Sequence, residues 1–120
     1  MPKACYFIGS SKKVLSGFPD EVKSGIGKSL FIAQMGGEAA NVKALKGFGG
    51  RGVLEVVEDH DGNTYRAVYT LRFATTVYVL HAFQKKSKSG IATPKHEIDL
   101  IAARMKDAEA LHRHVATKGD

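Results

Sequence analysis

At Val53 the hydrophobic period of this chain changes from helical to extended, and the three extended runs that follow are separated by short interruptions. Val53 to Glu58, Thr64 to Leu71 and Thr76 to Phe83 are each rich in β-branched and aromatic residues, as strands are. Asp61-Gly62 between the first two is a strong hairpin signal, and a somewhat longer loop is predicted between the last two. Short consecutive connections make sequential strands antiparallel neighbours, so the fold must contain a three-stranded meander. In the middle run Tyr65, Ala67, Tyr69 and Leu71 alternate with Arg66, Val68 and Thr70. One side of that strand is therefore expected to pack on helices while Arg66 looks out from the other.

The segments on either side read as helices and one further strand. Ala4 to Ile8 is rich in β-formers, Gly9-Ser10-Ser11 interrupts it, and Lys12 to Leu15 suits one or two helical turns. A longer helix follows from Pro19: Asp20 and Glu21 favour its positive end, and Val22, Ile26, Leu30 and Ala33 line up as one apolar stripe. Gly36-Gly37 ends it, and Ala39 to Leu45 is predicted as a further helical turn before the glycine-rich stretch Gly47 to Gly52. Thr93-Pro94 starts a last helix with the buried stripe Ile98, Ile101, Ala102, Met105 and Ala108, and residues from about 115 onward are expected to fray into a disordered tail. With no repeats or linkers in 120 residues, the prediction is one α+β domain over 1–120, large enough to bury roughly two thirds of its unfolded surface.

Charge is distributed unevenly over this frame. Residues 62 to 96 hold six Lys or Arg and no Asp or Glu, so the whole formal charge of +6 resides in the window that also holds the two best strand patterns. Cations interleaved with aromatics on a hairpin make a surface suited to phosphate. The lone Cys5 excludes an internal disulfide and fits a buried thiol in a cytoplasmic protein. The apolar run after Met1-Pro2-Lys3 is too short for a signal peptide or membrane span, so a cytoplasmic location without membrane contact is expected.

Two familiar patterns fail on context. Gly47, Gly49 and Gly52 satisfy G-x-G-x-x-G, but they follow predicted helix and precede a strand, the reverse of a dinucleotide site. Gly27-Lys28-Ser29 ends like a phosphate-binding loop, yet Val22 occupies the position of the required glycine and the segment lies within a helix. The histidines, His60, His81, His96, His112 and His114, have no cysteine or carboxylate spacing typical of zinc, and neither a metal nor a cofactor is expected.

Two residues in the strands remain open on these grounds. His81 lies inside an apolar strand, on a face predicted to include Val79 and Phe83, and is either a core histidine satisfied by backbone or a group held for chemistry. Arg66, in mid-strand, either pairs with Glu55 or Glu58 of the neighbouring strand or faces an open groove that accepts an anion.

The order Leu45-Lys46-Gly47, Val53-Leu54-Glu55, Tyr65-Arg66-Ala67-Val68-Tyr69, Val79 through Ser87, then Thr93-Pro94 and Glu97-Ile98 closely resembles the phage-derived HigB branch of the RelE/ParE toxin superfamily, over roughly residues 4 to 105. The resemblance implies a small antiparallel sheet with helices packed on one face. It also implies a metal-independent endoribonuclease that cuts messenger RNA in the ribosomal A site: the ribose 2′-hydroxyl attacks its own 3′-phosphate and the 5′-oxygen leaves. Such a reaction needs a base, positive charge on the transition state and an acid.

Carried onto this chain, the resemblance makes Arg66 the strand arginine that contacts the scissile phosphate. Lys85 and Lys86 become the basic pair after the last strand, and His81 a candidate acid or base. Lys46, Lys88 and Arg72 are candidate phosphate contacts, and Phe83 either packs or stacks on a base. The chain departs from the ribonuclease pattern where lysines commonly precede the arginine, having Leu54-Glu55-Val56 there, and where a tyrosine commonly follows the terminal basic residues, having Ser89-Gly90-Ile91-Ala92. Glu55, His81 or a lysine with a lowered pKa therefore remain alternatives for the base and acid. The implied partners are a cognate helix-turn-helix antitoxin, messenger RNA on the ribosome, and operator DNA only through the antitoxin. A ParE-like inhibitor of DNA gyrase and a non-catalytic RNA-binding module are the alternative functions.

Overall fold

Asp61 and Gly62 both adopt positive φ, 49° and 80°, which makes the mirror-image turn that matches strand twist and locks His60 opposite Asn63. The strands it joins are β3 (Val53–His60) and β4 (Asn63–Phe73), followed by β5 (Thr76–Lys85). They belong to a computed structural model that describes residues 2–49, 52–85 and 93–118. Before them come β1 (Ala4–Phe7), α1 (Ser11–Ser16), α2 (Asp20–Gln34) and β2 (Val42–Ala44), and after them α3 (Lys95–Lys118). The meander and flanking helices are as the periodicity predicts. α3 continues to Lys118, into the segment read as a tail.

Three local expectations are corrected. Phe73 pairs with Thr76, so only Ala74 and Thr75 separate β4 from β5, a tight hairpin in place of a longer loop. The predicted helical turn over Ala39 to Leu45 is instead the edge strand β2, antiparallel to β3. So short a segment is a poor helix on its own, whereas the free edge of β3 offers backbone partners. Asn41 fixes the entry, its carbonyl accepting from Val57 N–H at 3.0 Å and its side-chain amide donating to Glu58 at 2.5 Å. Ala102, placed in the apolar stripe of the last helix, is exposed, while Ile101, Met105 and Ala108 are buried.

The sheet order is β1-β5-β4-β3-β2, antiparallel except for β1, which runs parallel to β5 with Ala4 opposite Thr76 and Phe7 opposite Val79. Both faces of this sheet are covered. Val22, Ile26, Leu30 and Ala33 of α2 pack on Leu54, Val56, Ala67, Tyr69, Val77 and Val79. Each fully buried Val, Leu or Ile among them contributes about 1.5–3 kcal/mol. On the other side Ile101, Met105 and Ala108 of α3 pack on Val53, Val68, Tyr78, Leu80 and Phe83. The face on which Arg66 lies is therefore roofed by a helix and not open to solvent.

Candidate functional site

Arg66 on β4 stands opposite Val57 of β3 and Phe83 of β5, while Glu55 on β3 stands opposite Val68. The two charged side chains are thus diagonal neighbours on the α3 face. Arg66 Nη1 donates to Glu55 Oε1 at 3.1 Å, with the two side chains only 2% and 1% exposed. Thr93, just before α3, donates its hydroxyl to Glu55 Oε2 at 2.9 Å and accepts from Arg66 Nη1 at 3.4 Å. Of the two alternatives for Arg66, pairing with Glu55 is the one realised, and the arginine does not look out into solvent. A pair this dry persists because each charge neutralises the other; removing one partner strands the second.

Over the pair opens a cleft of about 270 Å³, walled by Leu45 and Ile98 and reaching Arg66, Glu55 and Thr93 at its floor. Two lysines line it. Lys43 lies directly opposite Glu55 in the β2–β3 pairing and so projects to the same face. Lys46 follows in the loop that Gly47 bends with φ +97°. Both are exposed, and among the described residues neither side chain has a hydrogen bond or ion pair. Lys46 was legible as a phosphate candidate; Lys43 was missed because its segment reads as a helical turn. The alternation of buried Val42, exposed Lys43 and half-buried Ala44 is the only strand signal there.

His81 belongs to a second cluster. Its partner in β4 is Val68, but the next pair is Tyr69 with Val79, so β5 carries one extra residue, Leu80. This bulge reverses the alternation: Val79 faces α2, whereas Leu80, His81 and Phe83 face α3. The predicted common face of His81 and Val79 is corrected accordingly; Phe83 does share it, stacked on the imidazole with centroids 5.2 Å apart. Arg104 Nη1 lies 3.3 Å from His81 Nδ1, and a guanidinium can only donate. Nδ1 must therefore be the acceptor, and the proton is on Nε2, which donates to Glu97 Oε1 at 2.6 Å. Arg104 also donates to Leu80 O at 3.1 Å and to Ser10 Oγ at 3.0 Å. Both ring nitrogens are satisfied, as in the core-histidine alternative, but by side chains in place of the backbone. Glu97 and Arg104, seven residues apart, lie on one helix face; that spacing was the signal available in the sequence.

The two clusters stay separate. Val68 lies between Glu55 and His81 in the register, which sets them about 10 Å apart across the sheet. His81 does not line the cleft.

Residues 13–106 match the family described as phage derived protein Gp49-like (DUF891). The match covers most of the chain and includes every residue of the cleft. The chain belongs to the phage-derived Gp49-like family. No curated protein matches it in sequence. Among solved structures, a chain of the toxin-antitoxin complex RelBE2 from Mycobacterium tuberculosis is similar at 19% identity and a TM-score of 0.46, over 72% of this chain and 95% of that one.

In this Gp49-like chain the other predicted site residues are dispersed. Lys85 closes β5 opposite Thr64, on the cleft side of the sheet but outside the cleft lining. Arg72 is at the other end of β4, ion-paired with Glu109 of α3 at 3.1 Å. Phe83 is buried under α3 and packs, leaving no free ring face on the surface. Lys86 and Lys88 lie outside the described residues. Among the described residues no three His, Cys, Asp or Glu side chains gather as a metal site would require. No helix among them is long and apolar enough to cross a membrane. Cys5 on β1 is half-buried, and that burial pushes its thiol pKa up from the ordinary value, away from nucleophilic use.

Proposed function

We propose that this chain is the toxin of a type II toxin-antitoxin pair, of the HigB branch, and that it cuts messenger RNA in the ribosomal A site. The observation that carries this reading is the cleft, in which lysine ammonium groups without a partner among the described residues stand over a buried Arg66–Glu55–Thr93 cluster. Its size suits one nucleotide-sized group and excludes a duplex.

In the reaction the ribose 2′-oxygen bonds to the adjacent phosphorus, the bond to the 5′-oxygen breaks, and that oxygen takes a proton from water, so that a cyclic phosphate and a 5′-hydroxyl end result. Positive potential from Lys46, over the buried Arg66–Glu55 pair, stabilises the charge that develops on phosphorus-bound oxygen. Glu55 is the carboxylate nearest that point; each of its oxygens has one partner and keeps a second lone pair for a 2′-hydroxyl proton. His81, with both nitrogens taken, positions α3 and does not itself exchange protons with substrate. The toxin's partner is a helix-turn-helix antitoxin, through which alone it reaches operator DNA.

The test is brief expression in a bacterium alongside Lys46→Ala, with transcript 5′ ends mapped across translated genes. Cleavage in reading frame, lost in the variant and when translation is blocked, supports the proposal. Growth arrest with intact transcripts rejects it in favour of a ParE-like inhibitor of gyrase, a reading favoured by the commitment of Arg66 and His81 to internal pairs.

A further inference from the structure

Positive charge at the cleft is not equally available. Arg66 is buried, its guanidinium opposed by Glu55 and directed to Thr93. Lys43 and Lys46, by contrast, reach the same cavity from its solvent side and have no acidic partner among the described residues. Counting Lys43, Lys46 and Arg66 against Glu55, the lining carries a net charge of two, and that excess resides on the two lysines. Their placement is set by backbone: Lys43 by its register opposite Glu55, and Lys46 by the turn at Gly47.

We propose that Lys43 and Lys46 form a two-ammonium clamp for one phosphodiester of single-stranded RNA, with Leu45 and Ile98 as the apolar wall against which the attached nucleoside lies. Arg66 is then a positioning residue: it does not touch the phosphate but holds Glu55 and Thr93 in place beneath it. The clamp rests on the RNA-cleaving reading for its ligand and assigns Lys43, which neither sequence pattern nor family resemblance picks out. A lysine on an edge strand also discourages strand addition, but that role alone would leave RNA affinity unchanged.

The experiment measures binding of a short single-stranded RNA with 2′-O-methyl riboses, which cannot be cut, over a range of salt concentrations. The proteins compared are the full chain, Lys43→Gln, Lys46→Gln, Lys43→Arg, and Lys28→Gln as a control on the exposed side of α2. Each cleft substitution to glutamine is expected to lower the salt slope by about 0.7 and weaken binding about fivefold at low salt, because one counterion fewer is released. Lys43→Arg should retain binding, and Lys28→Gln should match the unaltered chain. Lys43→Gln binding like the unaltered chain would overturn the clamp, as would a chain that does not bind this RNA at any salt. Cleavage of unmodified messenger RNA on translating ribosomes by the same proteins separates the two ideas. Salt-dependent binding through both lysines without cutting keeps the clamp and rejects the nuclease; cutting with Lys43 dispensable for binding does the reverse.

Discussion

Replacing Arg66 by alanine would leave the Glu55 carboxylate charged, buried and held by Thr93 alone. The expected loss is about 3–5 kcal/mol, because an uncompensated buried charge is more costly than the pair itself is worth. The double variant Arg66→Met with Glu55→Leu should recover most of that loss, since the two residues fill similar volumes without charge. Urea unfolding of the singles and the double measures the coupling; equal losses for Arg66→Ala and the double would refute it. Any activity lost in Arg66→Ala would thus report unfolding before it reported chemistry, which is why lysines are the better probes of the cleft. At this scale the answer was half legible: strand position left Arg66 either paired with Glu55 or Glu58 or facing an open groove, the resemblance implied the phosphate role, and the pair with Glu55 is the one that formed. Which carboxylate won depended on a diagonal contact, and cross-strand register is not written in either strand by itself. His81 gives a second prediction of the same kind. Long-range nitrogen–proton correlation spectra should show its Nδ1 unprotonated and its Nε2 protonated; the opposite tautomer would mean that Arg104 is not its donor.

The elements were legible where period and turn chemistry agreed. Asp61-Gly62 forced the β3–β4 hairpin, and the Val22-Ile26-Leu30-Ala33 stripe placed α2. Sequence reasoning failed at β2, whose residues have too little pattern to overrule a helical reading, and at the Leu80 bulge, which periodicity cannot reveal because it is defined by the partner strand. The bulge has a consequence for α3. By turning both Leu80 and His81 toward that helix it gives Arg104 two acceptors on β5. Much of the α3 attachment is polar, including Glu97 to His81, Thr93 to Glu55 and the Tyr78 hydroxyl to His112 at 2.9 Å. A helix held this way opens more readily than one seated on a wholly apolar stripe. Arg104→Ala should cost about 1–3 kcal/mol by leaving the Leu80 carbonyl and His81 Nδ1 without their donor. Amide exchange should then quicken over α3 while α2 keeps its protection. Equal acceleration in both helices would show instead that the two faces open together.

For the molecule as a whole, the least legible contact is the one that completes the sheet. β1 has to travel past the entire meander's sequence to lie parallel beside β5, and the Ser11 hydroxyl reaches the Val79 carbonyl across a separation of 68 residues. Nothing in Ala4 to Phe7 names its partner; only the completed meander creates an edge with the right spacing. Contacts this distant in sequence carry the largest closure entropy and lower the folding rate most. β5 is also the strand most in need of that cover, since Thr76 through Phe83 are buried and the strand would otherwise present an apolar edge to any second chain. Deleting residues 1–8 should therefore do more than remove one short strand. The truncated chain is expected to keep the β3–β4 hairpin and α2 but to self-associate through β5, in a concentration-dependent way visible by light scattering at salt levels that screen its net positive charge, which is the full chain's +6 less that of Lys3. A lysine at Val79, which faces the α2 core in the full chain, would be intolerable, so the charge belongs at exposed Thr75 in the turn just before β5: Thr75→Lys should reduce association of the truncated chain. If the deleted chain stays monomeric at all concentrations, the parallel strand is a minor seal and the burden of protecting β5 falls on α1, which packs beside it through Ser11 and Leu15.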